Sequence, residues 1–235
     1  MQAVILVGGL GTRLKGIVND KPKPMALANN RPFLEYLINK LKNSGITDIV
    51  LAAGYMAEYI KDYFEDGKDF GVSIGYSIES KQLGTGGALK NAERLLHSED
   101  ILILNGDTYF NINFNDMYAF HKRNKSYFTM ALRRVDDVSR YGTVECNYKN
   151  VVTKFIEKDD YLHSNYINGG IYIINKKILK YIAADRKVSL ENQVIPKVMK
   201  YEYIYGFKSK DYFIDIGIPE DYFKFCEDMK RGMIK

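Results

Sequence analysis

A glycine-rich turn near the start of the chain precedes two cationic side chains. Residues 3–7 are apolar, and three glycines occupy positions among the next four residues. Glycine turns let backbone N–H groups approach a phosphate closely, and Arg13 and Lys23 would add fixed positive charge at the same place. This combination of residues suits the binding of an anion that reacts.

Residue spacing excludes two common phosphate-binding loops. A Rossmann fingerprint that began at Gly9 would need glycine or alanine at position 14, where the chain has Leu14. A P-loop that began at Gly11 would need lysine directly after Gly16, where the chain has Ile17. Hydride transfer and P-loop ATPase chemistry therefore lose their main support.

Two aspartates follow short apolar segments, and the first of them is a candidate ligand of a metal ion. Asp107 closes Asn105-Gly106-Asp107 after the apolar run 101–104, and Asp215 follows a short strand before the helix that Pro219 opens. A carboxylate at a strand end supplies an oxygen ligand for Mg²⁺ on a rigid support. A plain Asn-Gly-Asp turn also explains the first segment when it is taken alone.

A second glycine-rich loop covers residues 83–89 and leads into a helix. Glycines at this place would allow close approach of a flat purine, whose edge backbone groups can recognise. The alternative is simple helix-start chemistry, in which Thr85 caps the helix.

Residues 8–14 read GGLGTRL and residues 22–25 read PKPM, which matches the signature GGxGTRL followed within about a dozen residues by PKPM. The chain resembles the sugar-phosphate nucleotidyltransferase family from end to end, and within it the heptose 1-phosphate guanylyltransferases, with mannose-1-phosphate guanylyltransferases as near relatives. The resemblance implies an α/β fold: a Rossmann-like, mainly parallel mixed sheet with helices on both faces, the GT-A-like nucleotidyltransferase fold. One domain would span residues 1–235, with a nucleotide-binding half to about residue 110 and a sugar-phosphate-binding half from about residue 111. It also implies that the catalytic unit stands alone, without the C-terminal β-helix of several family members.

The resemblance also assigns the site residues. It implies Mg²⁺ as cofactor, with Asp107 and Asp215 as its ligands. The residues implied in catalysis are Arg13, Lys23, Asp107 and Lys158. Those implied in nucleotide binding are Leu6, Gly8, Gly9, Gly11, Thr12, Arg13, Gln82, Gly84, Thr85 and Asp107. Those implied in sugar-phosphate binding are Tyr141, Gly142, Glu157, Lys158, Asn168 and Gly169. An exposed Glu-Lys pair is usually plain surface, so Glu157 and Lys158 rest on the resemblance alone.

The implied reaction joins the nucleoside monophosphate part of GTP to a heptose 1-phosphate and releases pyrophosphate. Three alternatives remain open. The enzyme could use mannose 1-phosphate, or it could transfer a uridylyl or thymidylyl group to another hexose 1-phosphate. A regulator that kept the pocket and lost the chemistry is the alternative from another class of protein.

Composition limits the broad class of the protein. The 235 residues are 46% hydrophobic and 27% charged, which fits one sizeable α/β core. No apolar run reaches the roughly 18 residues that span a bilayer, and the short N-terminal run is not expected to be a leader, so we expect a cytoplasmic protein without a membrane partner. The net charge of +5 is spread out, which argues against nucleic-acid binding. Two distant cysteines exclude a disulfide framework, and we expect a monomer or small homo-oligomer.

Hydrophobic periodicity predicts alternating strands and helices in the first half and a strand-rich second half. The predicted strands of the first half are 2–7, 48–53, 72–78 and 101–105, and its predicted helices are 32–44, 57–65 and 86–96. The predicted strands of the second half are 127–134, 142–146, 151–156, 166–174 and 202–207, and its predicted helices are 176–183 and 189–199. Ligands are expected at the carboxyl ends of the parallel strands.

Overall fold

A mixed sheet with helices packed on both faces organises the chain. The computed structural model describes residues 1–9, 21–138, 141–156 and 164–234. The strands of these residues are β1 Gln2–Leu6, β2 Leu27–Ala28, β3 Arg31–Pro32, β4 Asp48–Ala53, β5 Ser73–Ile78, β6 Asp100–Asn105, β7 Thr108–Phe110, β8 Phe128–Arg134, β9 Thr143–Cys146, β10 Val152–Ile156, β11 Tyr166–Asn175, β12 Ile204–Ser209 and β13 Phe213–Asp215.

The helices of the described residues lie between these strands and at the end of the chain. The α-helices are α1 Phe33–Asn43, α2 Ala57–Phe64, α3 Gly84–Asn91, α4 Phe114–Arg123, α5 Ile195–Val198 and α6 Pro219–Lys230. Short 3-10 turns cover Lys23–Met25, Lys68–Phe70, Ala92–Leu95 and Lys176–Tyr181, and a π-helical turn covers Leu190–Val194. None of the helices in this part of the chain is both long and apolar enough to cross a bilayer.

The main sheet has a parallel core and an antiparallel extension. Its order is β10-β9-β11-β6-β1-β4-β5, and β8 pairs with both β11 and β12. Strands β5, β4, β1 and β6 run parallel, whereas β11 pairs antiparallel with β6 and begins the mixed part of the sheet. The predicted α/β class and mixed sheet in a single domain are confirmed.

The side chains of β1 point alternately to two core clusters, which shows why helices cover both faces of the sheet. Ala3 and Ile5 face a core cluster with α1, α2 and α6, and Val4 faces a second cluster with α3 and α5. All three side chains are completely buried. A strand that is apolar on both faces belongs to the interior of a parallel sheet, as the apolar run predicts.

Helix α1 follows directly from its sequence pattern. Pro32 precedes it with φ near −57°, and Gly45 follows with φ of 77°, a left-handed conformation that glycine adopts without strain. Its apolar side chains recur three or four positions apart, which places them on one buried face. These residues are Phe33, Leu34, Leu37, Ile38 and Leu41.

Two predicted helices of the second half differ from the prediction in their type. The helix predicted at 176–183 is the 3-10 turn Lys176–Tyr181, and the helix predicted at 189–199 is divided into a π turn and the short helix α5. Pro196 accounts for the division, because it has no N–H and its ring crowds the carbonyl four residues earlier. A widened turn just before it relieves this crowding.

Helix α4 and strand β7 were not predicted from the sequence. The signal for α4 is present: the Asn113 side chain accepts hydrogen bonds from the backbone N–H groups of Asn115 and Asp116, as an N-cap does. Phe114 and Met117 are buried at helical spacing. Strand β7 has only three residues, which is too short for a periodic pattern to show.

Candidate active site

Strands β1 and β6 end side by side, and the chain then turns sharply at Gly106. The Gly106 N–H donates to the Leu6 carbonyl at 3.0 Å. A Cβ atom at Gly106 would lie 2.6 Å from that same carbonyl oxygen, so this close approach requires glycine. The turn places Asp107 at the carboxyl edge of the parallel core, where ligands of such sheets bind.

A small two-stranded sheet brings Asp215 to the same edge. Strand β13 pairs antiparallel with β7, and Asp215 lies opposite Thr108. The backbone N–H of Ile216 donates to the Asp107 carbonyl at 2.9 Å, and Asp215 Oδ1 accepts from the Gly217 N–H at 2.7 Å. Two residues that are 108 positions apart in the sequence are thus fixed as neighbours by backbone hydrogen bonds.

Lys23 contacts both carboxylates. It lies in the turn Lys23–Met25, which Pro22 and Pro24 constrain, and it is 8% exposed. Its Nζ atom is 2.5 Å from Asp107 Oδ2 and 3.9 Å from Asp215 Oδ1. One ammonium group therefore partly neutralises two carboxylates that are each about 30% exposed toward solvent.

This geometry fits a magnesium site in the type and placement of its ligands. Asp107 and Asp215 both direct an oxygen toward the Lys23 ammonium group, so the two carboxylates face the same point. Carboxylate oxygens are ligands that Mg²⁺ prefers. In the part of the chain that the structure describes, no group of three or more His, Cys, Asp or Glu side chains could enclose a metal. Mg²⁺ commonly takes one or two carboxylates and completes its shell with water and substrate phosphates.

A cavity of about 300 Å³ opens beside this pair of carboxylates. Eight residues that the family resemblance assigns to the site line it. They come from the end of β1 and the residues after it, the Lys23 turn, the start of α3 with the residues before it, and the turn after β6. These residues are Leu6, Gly8, Gly9, Lys23, Gln82, Gly84, Thr85 and Asp107. The structure therefore brings together most of the residues predicted to bind the nucleotide.

Glu79 and Lys187 also line the cavity, and sequence reasoning missed both. Glu79 follows β5, and its Oε2 atom accepts a hydrogen bond from the Leu83 N–H at 3.0 Å. Burial raises the pKa of the Glu79 carboxyl, and the Leu83 N–H partly opposes that effect. The available signal was its place at the carboxyl end of a parallel strand.

The glycines of the second loop pack against backbone from the other half of the chain. The N–H groups of Gly86 and Gly87 both donate to the Val188 carbonyl, at 2.9 and 3.1 Å. A Cβ atom at Gly84 would lie 2.7 Å from that carbonyl oxygen, and Gly84 has a φ of 70°. Two of these loop amides are therefore already used within the protein.

Thr85 does not cap helix α3, so that alternative is wrong. The helix begins at Gly84, with Leu83 in the N-cap position and no side-chain cap. The Thr85 hydroxyl instead accepts from the Leu190 N–H at 2.8 Å and donates to Glu191 Oε2 at 2.7 Å. Its side chain connects α3 to the π-helical turn.

The predicted sugar-phosphate residues lie around β11 and the start of β9. The Asn168 N–H donates to the Gly142 carbonyl at 2.8 Å, and the Tyr141 ring packs edge-on against Phe213, two residues before Asp215. At Gly169 a Cβ atom would meet the ring of Phe110 at 2.7 Å. The space beside Gly169 is therefore filled by the Phe110 ring. These contacts join β11 and the start of β9 to strands β7 and β13, which carry Asp215 to the rim of the cavity.

The remaining predicted site residues lie outside the described residues. They are Gly11, Thr12, Arg13, Glu157 and Lys158. Their assignments stay predictions.

The structure thus places two carboxylates and a lysine beside a cavity at the edge of the sheet where ligands of α/β proteins bind. The family model for nucleotidyl transferases matches residues 2–232. The chain belongs to the nucleotidyl transferase family.

Two relatives and one solved structure narrow this likeness. The chain is 43% identical to D-glycero-alpha-D-manno-heptose 1-phosphate guanylyltransferase from Aneurinibacillus thermoaerophilus, over 98% of this chain and 99% of the relative. It is 44% identical to the enzyme of the same name from Campylobacter jejuni, over 96% of this chain and 98% of the relative. The crystal structure of HddC from Yersinia pseudotuberculosis complexed with GMP-PN is similar, with a TM-score of 0.86 and 37% identity, covering 97% of this chain and 99% of that one.

Proposed function

We propose that this chain transfers the GMP part of GTP to D-glycero-α-D-manno-heptose 1-phosphate and releases pyrophosphate. The observation that carries the proposal is the position of Lys23 between Asp107 and Asp215 at the rim of the cavity. The likeness to two heptose 1-phosphate guanylyltransferases over nearly their full length supports the choice of both substrates.

The chemistry is a displacement at phosphorus. A phosphate oxygen of the sugar phosphate forms a bond to the α-phosphorus of GTP, and the bond from that phosphorus to the bridging oxygen breaks. The bonding electrons leave with pyrophosphate. The attacking phosphate is already ionised at neutral pH, so the reaction requires no general base. The protein must therefore hold the reacting groups in line and neutralise their charge.

The residues at the rim suit these tasks. Asp107 and Asp215 would hold Mg²⁺, which when bound neutralises charge on the phosphates. Lys23 lines the same cavity, so its ammonium group would bind a phosphate oxygen placed there. From the family resemblance, Arg13 would contact the departing pyrophosphate and Lys158 the incoming phosphate. A chelator should abolish turnover, and added Mg²⁺ should restore it.

Glu79 supports the choice of guanine. The Watson–Crick edge of guanine presents two neighbouring N–H donors, from N1 and the 2-amino group, and a carboxylate can accept both. Glu79 lines the cavity with one oxygen bonded to the Leu83 N–H. Uracil and thymine present a single donor between two acceptors, which a carboxylate would repel.

A substrate panel tests the proposal. Pyrophosphate release is measured for GTP, UTP, dTTP and ATP, each with heptose, mannose, glucose and N-acetylated sugar 1-phosphates. We expect GTP with the heptose phosphate to give the highest kcat/KM. Mannose 1-phosphate should be poorer by about 5-fold to 150-fold, because polar groups that bind the extra hydroxyl would be left unpaired.

Each alternative gives a different result in this panel. A kcat/KM for mannose 1-phosphate equal to that for the heptose phosphate would favour the mannose enzyme. Preference for UTP or dTTP would overturn the guanine assignment, and no pyrophosphate release from any pair would favour the regulator.

We also propose that the protein acts in the cytoplasm as a monomer or small homo-oligomer. The surface is mixed in charge, and the proposed substrates are small charged metabolites. Cell fractionation and light scattering of the purified protein test these two points.

A further inference from the structure

Glu191 accepts hydrogen bonds from three side chains. Its Oε2 atom accepts from the Thr85 hydroxyl at 2.7 Å and from the Ser189 hydroxyl at 3.1 Å. Its Oε1 atom accepts from the Tyr172 hydroxyl at 3.4 Å. The two oxygens of one carboxylate thus contact different segments of the chain, α3 on one side and β11 on the other.

The contact with Tyr172 continues to Asn168. The Asn168 Nδ2 atom donates to the Tyr172 hydroxyl oxygen at 2.7 Å. Tyr172 is completely buried, and a buried phenol normally requires hydrogen-bond partners. Thr85, Glu191, Tyr172 and Asn168 therefore form one continuous line of hydrogen-bonded side chains, which we call the Glu191 chain.

The ends of the Glu191 chain lie at two different parts of the site. Thr85 lines the cavity on the nucleotide side, and Asn168 is a predicted sugar-phosphate residue. The pairing of β11 with β8 is irregular between Asn168 and Tyr172. Such bulges re-aim side chains, and they are frequent beside active sites.

The backbone at Glu191 is also unusual. Leu190–Val194 forms a π-helical turn, in which the Val194 N–H donates to the Ser189 carbonyl five residues earlier at 3.2 Å. The Ser189 hydroxyl accepts from the Asn192 N–H at 3.0 Å and also holds Glu191. Single π turns are rare in proteins, and those that occur often lie at functional sites. This turn fixes the backbone from which Glu191 extends.

We propose that Glu191 is a positioning residue that holds Thr85 and Asn168 in a fixed relation, so that nucleotide and sugar phosphate bind at the right separation for transfer. The proposal rests on the proposed function for the identity of the two substrates. Among the described residues no lysine or arginine pairs with Glu191, so its charge strengthens hydrogen bonds to neutral hydroxyls.

Glu191→Ala and Glu191→Gln test the proposal. The alanine variant loses both arms of the Glu191 chain, and we expect kcat/KM to fall roughly tenfold for each substrate, about the effect of losing one or two hydrogen bonds. Glutamine keeps the shape of the side chain and can accept fewer hydrogen bonds from the hydroxyls. It should recover part of the loss for both substrates.

Removing each arm separately sharpens the test. Tyr172→Phe removes the hydroxyl on the Asn168 side, so it should raise the KM for the sugar phosphate and leave the Kd for GTP within about twofold. Thr85→Val removes the hydroxyl on the cavity side, so it should weaken GTP binding and leave the KM for the sugar phosphate nearly unchanged. Calorimetry with GTP alone and steady-state kinetics give these values.

Glu202→Ala is the matched control. Glu202 Oε1 accepts from the Tyr181 hydroxyl at 3.0 Å, so the variant also loses a glutamate–tyrosine hydrogen bond, outside the Glu191 chain. Its kinetics should equal those of the wild type.

Two outcomes would overturn the proposal. In the first, Glu191→Ala lowers the thermal midpoint while both KM values and the GTP Kd stay within twofold of wild type, which indicates a structural role. In the second, Glu191→Ala lowers kcat/KM for only one of the two substrates. If the wild type releases no pyrophosphate, the proposed function fails independently. The calorimetric Kd values of the Glu191 variants for GTP and for the sugar phosphate then test the two arms of the Glu191 chain. A Kd equal to that of the wild type would overturn the proposal for that arm.

Discussion

Strand β6 carries a carboxylate near each end, and each carboxylate contacts a lysine. Beyond its carboxyl end, Asp107 contacts Lys23 at the rim of a cavity, and the Asp107 side chain is 32% exposed. At its amino end, Asp100 contacts Lys122, and the Asp100 side chain is only 5% exposed. The same pair of residue types therefore lies in two different environments.

The hydrogen-bond partners of Asp100 are more numerous. Its Oδ2 atom accepts from Lys122 at 3.1 Å and from the Tyr118 hydroxyl at 3.4 Å, and its Oδ1 atom accepts from the Asn175 amide at 3.1 Å. A buried charge needs such partners to offset its loss of water. Asp107 instead faces a cavity with a cationic contact that a ligand can replace. At the two ends of β6, the carboxylate whose oxygens are occupied by protein donors is the one away from the cavity, which indicates a structural role for Asp100.

The largest expected effect is on turnover at the cavity end. Asp107→Asn should lower kcat by a factor of about 100 or more, because it removes a proposed ligand of the Mg²⁺ that would neutralise charge in the transition state. The thermal midpoint should stay close to that of the wild type. Pyrophosphate release and calorimetric unfolding measure the two quantities. Asp215→Asn should behave alike, and near-normal turnover in either variant would contradict the metal assignment of that residue.

The next effect is on stability at the buried end. Asp100→Ala removes the acceptor of the Tyr118 hydroxyl and one of the two acceptors of the Asn175 amide, and we expect it to lower the free energy of unfolding by about 1–3 kcal/mol. At a temperature where the variant is folded, its kcat should stay within about twofold of wild type. Urea unfolding and kinetics on the same sample provide the measurement. A large loss of kcat without a loss of stability would erase the contrast between the two ends.

A smaller effect concerns pH at the buried end. His121 is 1% exposed and contacts Thr129 Oγ1 at 2.8 Å, while Asp100 Oδ1 lies 3.6 Å from its Nε2 atom. Burial lowers the pKa of His121 below its usual value of 6.5, although Asp100 opposes that effect and Lys122 adds to it. The unfolded chain therefore binds more protons than the folded one as pH falls through about 6.5, and stability decreases.

His121→Asn tests this linkage. Between pH 7.5 and 5.5 the free energy of unfolding of the variant should decline less than that of the wild type. The pKa of Asp100 lies below its usual value: burial raises it, but hydrogen bonds from Lys122 and Asn175 and the nearby His121 and Lys122 charges more than offset this. Its own contribution is lost only in more acidic solution. Equal slopes for the two proteins would show that His121 does not titrate as proposed.

The smallest effect is expected for Lys122→Met. The Lys122 side chain is 55% exposed, and Asp100 keeps its hydrogen bonds from Tyr118 and Asn175 when Lys122 is lost. Its thermal midpoint should move far less than that of Asp100→Ala, and its kinetics should be unchanged. Lys23→Met is the matched variant at the other end, and it should lose most of its turnover. Similar behaviour of the two lysine variants would contradict the comparison.

The parallel core could be predicted from the sequence, because its strands are apolar on both faces and its helices have clear apolar stripes. It was insufficient where short elements depend on tertiary partners. Strand β7 exists because β13 pairs with it. The π turn lies between Ser189, whose side chain accepts a hydrogen bond from the Asn192 N–H, and Pro196. Neither helical periodicity nor composition predicts a π turn.

Part of the candidate site could be predicted because its residues adjoin recognisable motifs. Glu79 lies in no motif, and only its place after a predicted strand could have indicated it. Glu191 could not be predicted, because its contact with Thr85 depends on the folding of a segment without a motif. The glycines of the second loop were interpreted as space for a base, yet Gly86 and Gly87 donate to Val188. A glycine in a sequence indicates a close approach and leaves open whether the approaching group is ligand or backbone.

The contact between that loop and residues 186–188 also limits how this protein can diverge. A Cβ atom at Gly84 would lie 2.7 Å from the Val188 carbonyl oxygen, and one at Gly87 would lie 2.6 Å from the Arg186 carbonyl oxygen. A larger residue at either position requires displacement of a backbone about 100 residues away. These two segments should therefore change together during evolution, and grafting one of them alone from a relative should give a chain that folds poorly.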